Sequence, residues 1–199
     1  MESRAKVAGH AAHPMLVVFP LGLLATAVIF DVIYLVTDQA TWTEVAYYMI
    51  GAGIIGGLAA AIPGTIDFLA IPRGTRARRI GLIHGVGNVL VLGLFILSWL
   101  LRRDAPGAPA TEAIVAGLAG AGLAAITGWL GGELVDRLGV GVDDGAHLDA
   151  PSSLSELPAG AVVGASRASM SHGYTGAERR HYPQPAYAGV ERRIHGARG

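Results

Sequence analysis

The stretch Ile80–Leu101 contains 22 residues and no charged side chain. As an α-helix rising about 1.5 Å per residue, it would extend about 33 Å, which matches the hydrocarbon core of a bilayer. His84 and Asn88 are four residues apart and therefore share one helical face. Gly81 and Gly85 lie on or beside that face, where a second helix can approach closely. The pattern predicts a membrane-spanning helix with a polar stripe near its start.

The composition supports a membrane protein over a soluble domain. Hydrophobic residues make up 52% of the 199 positions and charged residues only 15%, and nearly all apolar runs lie before residue 132. The formal net charge is zero, so the sequence gives no reason to expect a nucleic-acid partner. The chain has no cysteine, which excludes disulfides, iron–sulfur clusters, thiolate zinc sites and cysteine nucleophiles.

Four apolar segments are long enough to cross a bilayer. They cover about residues 15–36, 45–62, 80–101 and 113–132. Short loops join them, so consecutive helices should be antiparallel neighbours. The predicted fold is therefore all-α, an antiparallel bundle of four transmembrane helices over residues 1–142. Glycine pairs such as Gly53 and Gly57 would let helices pack closely, within one chain or between copies in a homo-oligomer. Pro63 and Gly64 are predicted to end the second segment.

The distribution of Lys and Arg predicts the orientation in the membrane. Seven of them lie in the short segments on the side of the N-terminus and the 63–79 loop, and two, Arg102 and Arg103, lie in loops on the other side. The positive-inside rule then places both termini in the cytoplasm. Asp31 lies near the end of the first helix, from which its carboxylate would reach the interface at reduced cost.

The threading of the four helices places several polar side chains at the cytoplasmic end. The candidates for binding a cofactor are His13, His84 and Asn88, and the carboxylates beside them are Asp67 and Glu133. Polar groups at membrane depth usually face the bundle interior or a cavity. These residues are the proposed polar cluster, and their chemistry is open to three interpretations.

In the structural interpretation, His84 and Asn88 form hydrogen bonds between helices, and His13 and Glu133 lie in the headgroup layer. In the second interpretation, His13 and His84 are axial ligands of haem b, and nearby glycines make room for the macrocycle. In the third, His84 acts with Asp67, Glu133 or His13 as a metal site or proton relay, although the spacing matches no established metal motif.

The segment 143–199 is rich in Pro, Ser, Gly and Ala, and it is predicted to be a disordered polar tail. It contains a weak repeat, at residues 174–180 and 187–193, in which each copy ends in Glu-Arg-Arg and is followed by a histidine. The repeat is either a short motif for a protein partner or a lipid headgroup, or part of a solvated tail.

Several segments together resemble the bacterial membrane family catalogued as domain of unknown function 2231. They are His13-Pro14, Phe19-Pro20, Gly64-Thr65-Ile66-Asp67, the run Ile71–Arg79, His84 with Asn88, the run Gly128–Val135, and the run Gly139–Val142. The resemblance covers about residues 13–142 and implies a four-helix membrane domain with no assigned reaction. Some relatives are similar to fusions with Rieske-type modules, which implies a link to electron transfer. Asp136 departs from the family pattern, in which an aromatic residue is common.

The sequence therefore predicts a multi-pass protein of the bacterial inner (plasma) membrane. The leading functional hypothesis is a haem- or metal-linked redox or accessory protein that uses the polar cluster. The alternative is a non-catalytic scaffold or regulator that recruits protein partners through its tail. Neither hypothesis specifies a reaction or a substrate, and the sequence does not decide whether the protein is an enzyme.

Overall fold

The structure, a computed structural model, describes residues 1–155 and 157–162 and is built almost entirely of helices. In chain order the elements are β1 (Lys6–Val7), β2 (His10–Ala11), α1 (Ala12–Leu16), α2 (Val18–Thr37), α3 (Ala40–Ala70), α4 (Arg76–Arg102), α5 (Thr111–Gly132) and a π-helical turn (Glu133–Arg137). The predicted all-α fold class is confirmed. The repeat at 174–193 lies outside the described residues.

Four helical segments are long and apolar enough to cross a membrane. They are Ala12–Thr37, Ala40–Ala70, Arg76–Arg102 and Thr111–Arg137. Large apolar side chains on their outer surfaces are exposed, among them Leu21, Ile55 and Val89. A water-soluble bundle would bury such side chains, whereas a bilayer solvates them.

Consecutive helices pack as antiparallel neighbours. The start of the first helical segment lies beside the end of α3, where His13 contacts Ala60, and Asp31 near the end of α2 contacts Thr43 near the start of α3. The helices α4 and α5 also pack against each other. The buried core between the helices is apolar and consists of Leu24, Ala27, Ala46, Ile50, Val91 and Phe95.

The glycines of α3 permit close contact between helices. A Cβ atom on Gly53 would lie 2.6 Å from Leu24 of α2, and one on Gly57 would lie 2.6 Å from Leu92 of α4. Real Cβ atoms do not approach other atoms so closely, so both positions require glycine or a shift of the neighbouring helix. The predicted close-packing face of α3 therefore contacts two different helices of the same chain.

The helix α3 does not end at Pro63 and Gly64, as the sequence suggested, but continues to Ala70. Pro63 is buried inside the helix and has no N–H to donate to the carbonyl of Ala59. Transmembrane helices tolerate such a proline when neighbouring helices satisfy the released backbone groups. The continuation places Asp67 on a helix instead of in a loop.

A short hairpin precedes the first helix. The strands β1 and β2 pair in antiparallel fashion, and the two residues between them, Ala8 and Gly9, have φ values of 49° and 80°. Positive φ at both central positions defines the tight turn that matches the twist of a hairpin. The N-terminal segment therefore folds against the helical domain. Residues Met1–Ala161 form one compact unit, and the predicted division at residue 142 stays a prediction.

Candidate functional site

Two histidines from different helices meet near one end of the bundle. His13 of α1 and His84 of α4 have ring centroids 6.4 Å apart, with the ring planes at 86°. Both rings are partly buried. Together with Asn88 and Thr127 they form the group that we call the histidine layer. Among the residues singled out from the sequence, the structure brings His13, His84 and Asn88 together here.

The ring of His13 is fixed against α3. Its Nδ1 atom lies 2.9 Å from the carbonyl oxygen of Ala60, close to the point where Pro63 interrupts the helical hydrogen bonds. A carbonyl only accepts, so Nδ1 carries a proton and donates, and in a neutral ring the lone pair would then lie on Nε2. Gly64 makes room for the ring, since a Cβ there would lie 2.8 Å from Nδ1.

His84 takes part in a closed loop of hydrogen bonds with α5. Its Nδ1 donates to the carbonyl oxygen of Thr127 at 2.8 Å, and its Nε2 accepts from Nδ2 of Asn88 at 3.1 Å. The hydroxyl of Thr127 donates to Oδ1 of Asn88 at 3.0 Å, which completes the loop. Gly131 lies beside the ring, 3.1 Å from its Cε1 atom if a Cβ were added. Nδ1 of His84, like Nδ1 of His13, therefore carries a proton.

The two histidines of the histidine layer differ in how their Nε2 atoms are used. A neutral imidazole that donates one nitrogen to a backbone carbonyl and keeps a lone pair on the other is the common form of a ligating histidine. Among the described residues, Nε2 of His13 has no hydrogen-bond partner, whereas Nε2 of His84 is engaged by Asn88. The two histidines are therefore not equivalent.

The predicted carboxylates of the polar cluster have other partners. Asp67 accepts hydrogen bonds from the hydroxyl of Ser3 and from the backbone N–H groups of Arg4 and Ala5. It therefore holds the N-terminal segment onto α3. Glu133 accepts from Nη2 of Arg76 at 2.6 Å and ties the π-helical turn to α4. In the described part of the chain, neither carboxylate shares a hydrogen bond with the histidines.

Arg102 and Asp31 form a second polar group at the other end of the bundle. Their side chains are 0% and 1% exposed, and two parallel hydrogen bonds of 2.8 and 3.0 Å join them. The remaining N–H groups of Arg102 donate to the hydroxyl of Thr43, to the carbonyl and hydroxyl of Ser98, and to the carbonyl of Ala113. We call this group the ion-pair layer. Every N–H group of the Arg102 guanidinium has an acceptor in this layer.

The interpretation of Asp31 and Arg102 from the sequence was wrong. Asp31 was expected to reach the membrane interface and Arg102 to lie in a loop, but each neutralises the other inside the bundle. A carboxylate within an apolar helix calls for a nearby partner, because a lone charge there is costly. The antiparallel order of the helices places both residues at the same end, and this signal was available in the sequence.

An ion pair joins the N-terminal segment to the region after α5. The amine of Lys6 lies 2.6 Å from a carboxylate oxygen of Asp143 and 2.9 Å from one of Glu2. These hydrogen bonds, that of Asp143 first, raise the pKa of Lys6 above its ordinary value. The hydrogen bond from Lys6 in turn lowers the pKa of the Glu2 carboxyl.

No group of three or more His, Asp or Glu side chains within the described residues is placed to hold a metal ion. The histidine layer supplies two nitrogen ligands at most.

Comparisons with known proteins give a family but no described relative. Searches of curated proteins and of solved structures found no match. A family model described as "Predicted membrane protein (DUF2231)" matches residues 9–144. The match includes all four helices and both polar layers, and it agrees with the resemblance found in the sequence. The chain therefore belongs to the DUF2231 family of predicted membrane proteins.

Proposed function

We propose that this integral membrane protein binds one haem b through His13 and His84 and acts as a redox carrier or redox accessory protein. The observation that carries the proposal is the arrangement of the two imidazoles. They come from different helices, their ring centroids are 6.4 Å apart, and each has its Nδ1 atom anchored to a backbone carbonyl. Such anchoring fixes the ring orientation and the protonation state that ligation requires.

The number of ligands favours haem over a bare metal ion. Zinc sites use three or four protein ligands, and other bare transition-metal sites are similarly demanding. A haem iron receives four nitrogens from its macrocycle and needs only axial ligands from the protein. Two histidines without a third nearby His, Asp or Glu among the described residues suit the second case.

The residues that would hold a haem are His13 and His84, and the group would supply an iron able to change its oxidation state. The separation of His13 and His84 is 6.4 Å. The glycines nearest the rings, Gly64 and Gly131, make room for the imidazoles themselves. Gly85, which the sequence placed on a face for close helix approach, has no atom within 4 Å of its Cβ position.

Asn88 has a specific place in the proposal. Its amide occupies the lone pair of His84 that haem would use. Binding therefore requires the amide to turn away, and Asn88 acts as a competitor for His84 and not as a ligand. The role of Asn88 distinguishes haem binding from a purely structural hydrogen-bond loop.

The test is the absorption spectrum of the full-length protein purified in detergent after haem has been supplied. We expect a haem spectrum that changes on reduction, and we expect His13→Ala and His84→Ala each to abolish bis-histidine ligation. His10→Ala and His147→Ala are matched controls, because both side chains are exposed and lie outside the spanning helices. Thermal unfolding of each variant separates loss of haem from loss of fold.

Two results would overturn the proposal. One is a folded protein that acquires no haem absorption when haem is supplied. The other is equal haem binding by His84→Ala and His10→Ala, which would place the haem elsewhere. If the protein folds in both histidine variants and haem never binds, the hydrogen bonds of the histidine layer have a structural role.

The scaffold hypothesis is favoured by one sequence observation, the Glu-Arg-Arg repeat at 174–180 and 187–193. The proposed cytoplasmic orientation in the bacterial inner membrane would present that repeat to protein partners. Deletion of residues 163–199 removes the repeat and leaves every described helix intact. Loss of a cellular phenotype with retained haem binding would favour recruitment, and an unchanged phenotype would argue against it.

A further inference from the structure

The turn after α3 and the first turn of α4 together carry four arginines within seven residues, and they divide into two pairs. The first pair is tied to the protein. Arg76 forms an ion pair with Glu133 at 2.6 Å. Arg78 donates to the carbonyl of Phe68, and its guanidinium lies 3.9 Å from the centroid of the Phe68 ring. These two arginines hold α3, α4 and the π-helical turn together.

The second pair, Arg73 and Arg79, is free of such contacts. Both residues are exposed. In residues 1–155 and 157–162, neither forms an ion pair, and neither side chain donates a hydrogen bond. Two exposed arginines without a side-chain partner among these residues therefore flank the start of α4.

The position of this turn is at the edge of the membrane-spanning region. The uncharged part of α4 begins at Ile80, directly after Arg79. Arg73 precedes the helix by three residues, next to Gly74, whose φ of 82° makes the turn tight. Residues at this boundary lie at the depth of the lipid phosphate groups, just outside the hydrocarbon core.

The chemistry of the free pair matches an anionic phosphate diester. A guanidinium forms two parallel, charge-assisted hydrogen bonds to phosphate oxygens, and two of them can grip one headgroup. Basic residues immediately beside a transmembrane helix attract anionic lipids and contribute additively. A zwitterionic lipid offers the same phosphate but no net charge, so it should be a poorer partner.

We propose that Arg73 and Arg79 form a binding site for the headgroup of an anionic phospholipid such as phosphatidylglycerol. The site belongs to the leaflet next to the α3–α4 turn. It is independent of the histidine layer and stands whether or not haem binds. The lipid would contact the two arginines that the fold leaves unpaired, while Arg76 and Arg78 keep the turn in shape.

The experiment is a lipid titration of the full-length protein in detergent, followed by native mass spectrometry. The probes are phosphatidylglycerol and phosphatidylcholine with the same acyl chains. We expect each of Arg73→Gln and Arg79→Gln to weaken phosphatidylglycerol binding about fivefold and the double variant about thirtyfold. Binding of phosphatidylcholine should change little in every variant.

Arg103→Gln is the matched control, because Arg103 is exposed at the other end of the bundle. The double variant Arg73→Lys with Arg79→Lys should lose part of the preference, because lysine keeps the charge but cannot form the two parallel hydrogen bonds of a guanidinium. Thermal unfolding should be unchanged throughout. Phosphatidylglycerol binding within twofold of wild type in the double glutamine variant would overturn the proposal. An equal loss in Arg103→Gln would do so too, because it would show a diffuse charge effect.

Discussion

The ion-pair layer and the histidine layer each join side chains or backbone groups from four helical segments, but they differ in how fully their polar atoms are used. Arg102 is 0% exposed, and all its N–H groups have acceptors. His13 is partly exposed, and among the described residues its Nε2 atom has no partner. A saturated, dry network holds its members in one arrangement, whereas a ring nitrogen without a protein partner is accessible to a ligand.

The largest expected effect comes from breaking the ion-pair layer. Arg102→Met leaves the carboxylate of Asp31 buried without its counter-charge, with only the hydroxyl of Thr43 as a donor, and we expect the protein to lose about 3–5 kcal/mol of stability. The measurement is unfolding in detergent by heat or denaturant. Arg103→Met, which removes an exposed arginine next in the chain, should change stability little.

A double substitution checks the physical reason. Asp31→Leu combined with Arg102→Met removes both charges, and much of the lost stability should return, because apolar pairs can replace buried ion pairs. If the double variant is no more stable than Arg102→Met, the unpaired charge of Asp31 does not explain the lost stability. The shape of the layer would then explain it.

The second expected effect concerns the space beside the histidines. A Cβ on Gly64 would lie 2.8 Å from Nδ1 of His13, so Gly64→Ala should displace the ring and cost about 1–3 kcal/mol. Gly85→Ala is the control, since no atom lies within 4 Å of its Cβ position. Unfolding measurements on the two variants give the comparison. Equal stabilities would mean that the ring moves freely and that His13 is not held by α3.

The third effect is smaller and concerns Asn88, which forms a hydrogen bond with His84 and none with His13 among the described residues. Asn88→Ala breaks the loop between His84 and Thr127, and hydrogen bonds of this kind in membrane proteins contribute about 0.6 kcal/mol. The hydroxyl of Thr127 keeps a bond to the carbonyl of Ala124. Haem titration should show affinity equal to or above that of wild type, because Nε2 of His84 is released. A loss of haem as severe as in His84→Ala would contradict the role of Asn88 as a competitor.

The smallest effect is a pH dependence outside both layers. The pKa of Glu2 lies below its ordinary 4.5, so its stabilisation is present above that value and is lost as the pH falls through the lowered pKa. The pKa of Lys6 lies above 10.5, so its contribution is present below that value and is lost as the pH rises through the raised pKa. The contacts of Lys6 should therefore persist between these limits.

The readout is proteolysis of the N-terminal segment as a function of pH, with a protease active across the range. Lys6→Gln should make cleavage faster at neutral pH and remove the dependence at acid pH. Unchanged cleavage in this variant would mean that Asp67, and not Lys6, retains the segment.

The sequence was sufficient for the parts of the fold that depend on hydrophobic length. Four uncharged or nearly uncharged runs could become only four spanning helices, and their short loops required antiparallel order. The helix ends were harder to predict, because Pro63 interrupts the pattern without ending α3. A proline inside lipid is tolerated when other groups satisfy the backbone, and no local pattern shows whether they do.

The histidine layer could be predicted in part and the ion-pair layer was missed. His84 and Asn88 were found because they share a face of one helix, and His13 because the threading places it at the same end. The bonds to the carbonyls of Ala60 and Thr127 could not be found, since backbone acceptors leave no trace in the sequence. Arg102 was assigned to a loop because a charge at a helix end usually faces water, and burial overrode that expectation.

The distance in sequence between Asp31 and Arg102 has a consequence for how the protein is made. Asp31 emerges from the ribosome 71 residues before its partner, so the first helix enters the membrane with its carboxylate unpaired. The guanidinium arrives only when the third helix is complete, and the ion pair can form only then. Nascent chains that stop before Arg102 should be cleared by quality-control proteases, whereas chains released just beyond the fourth helix should survive.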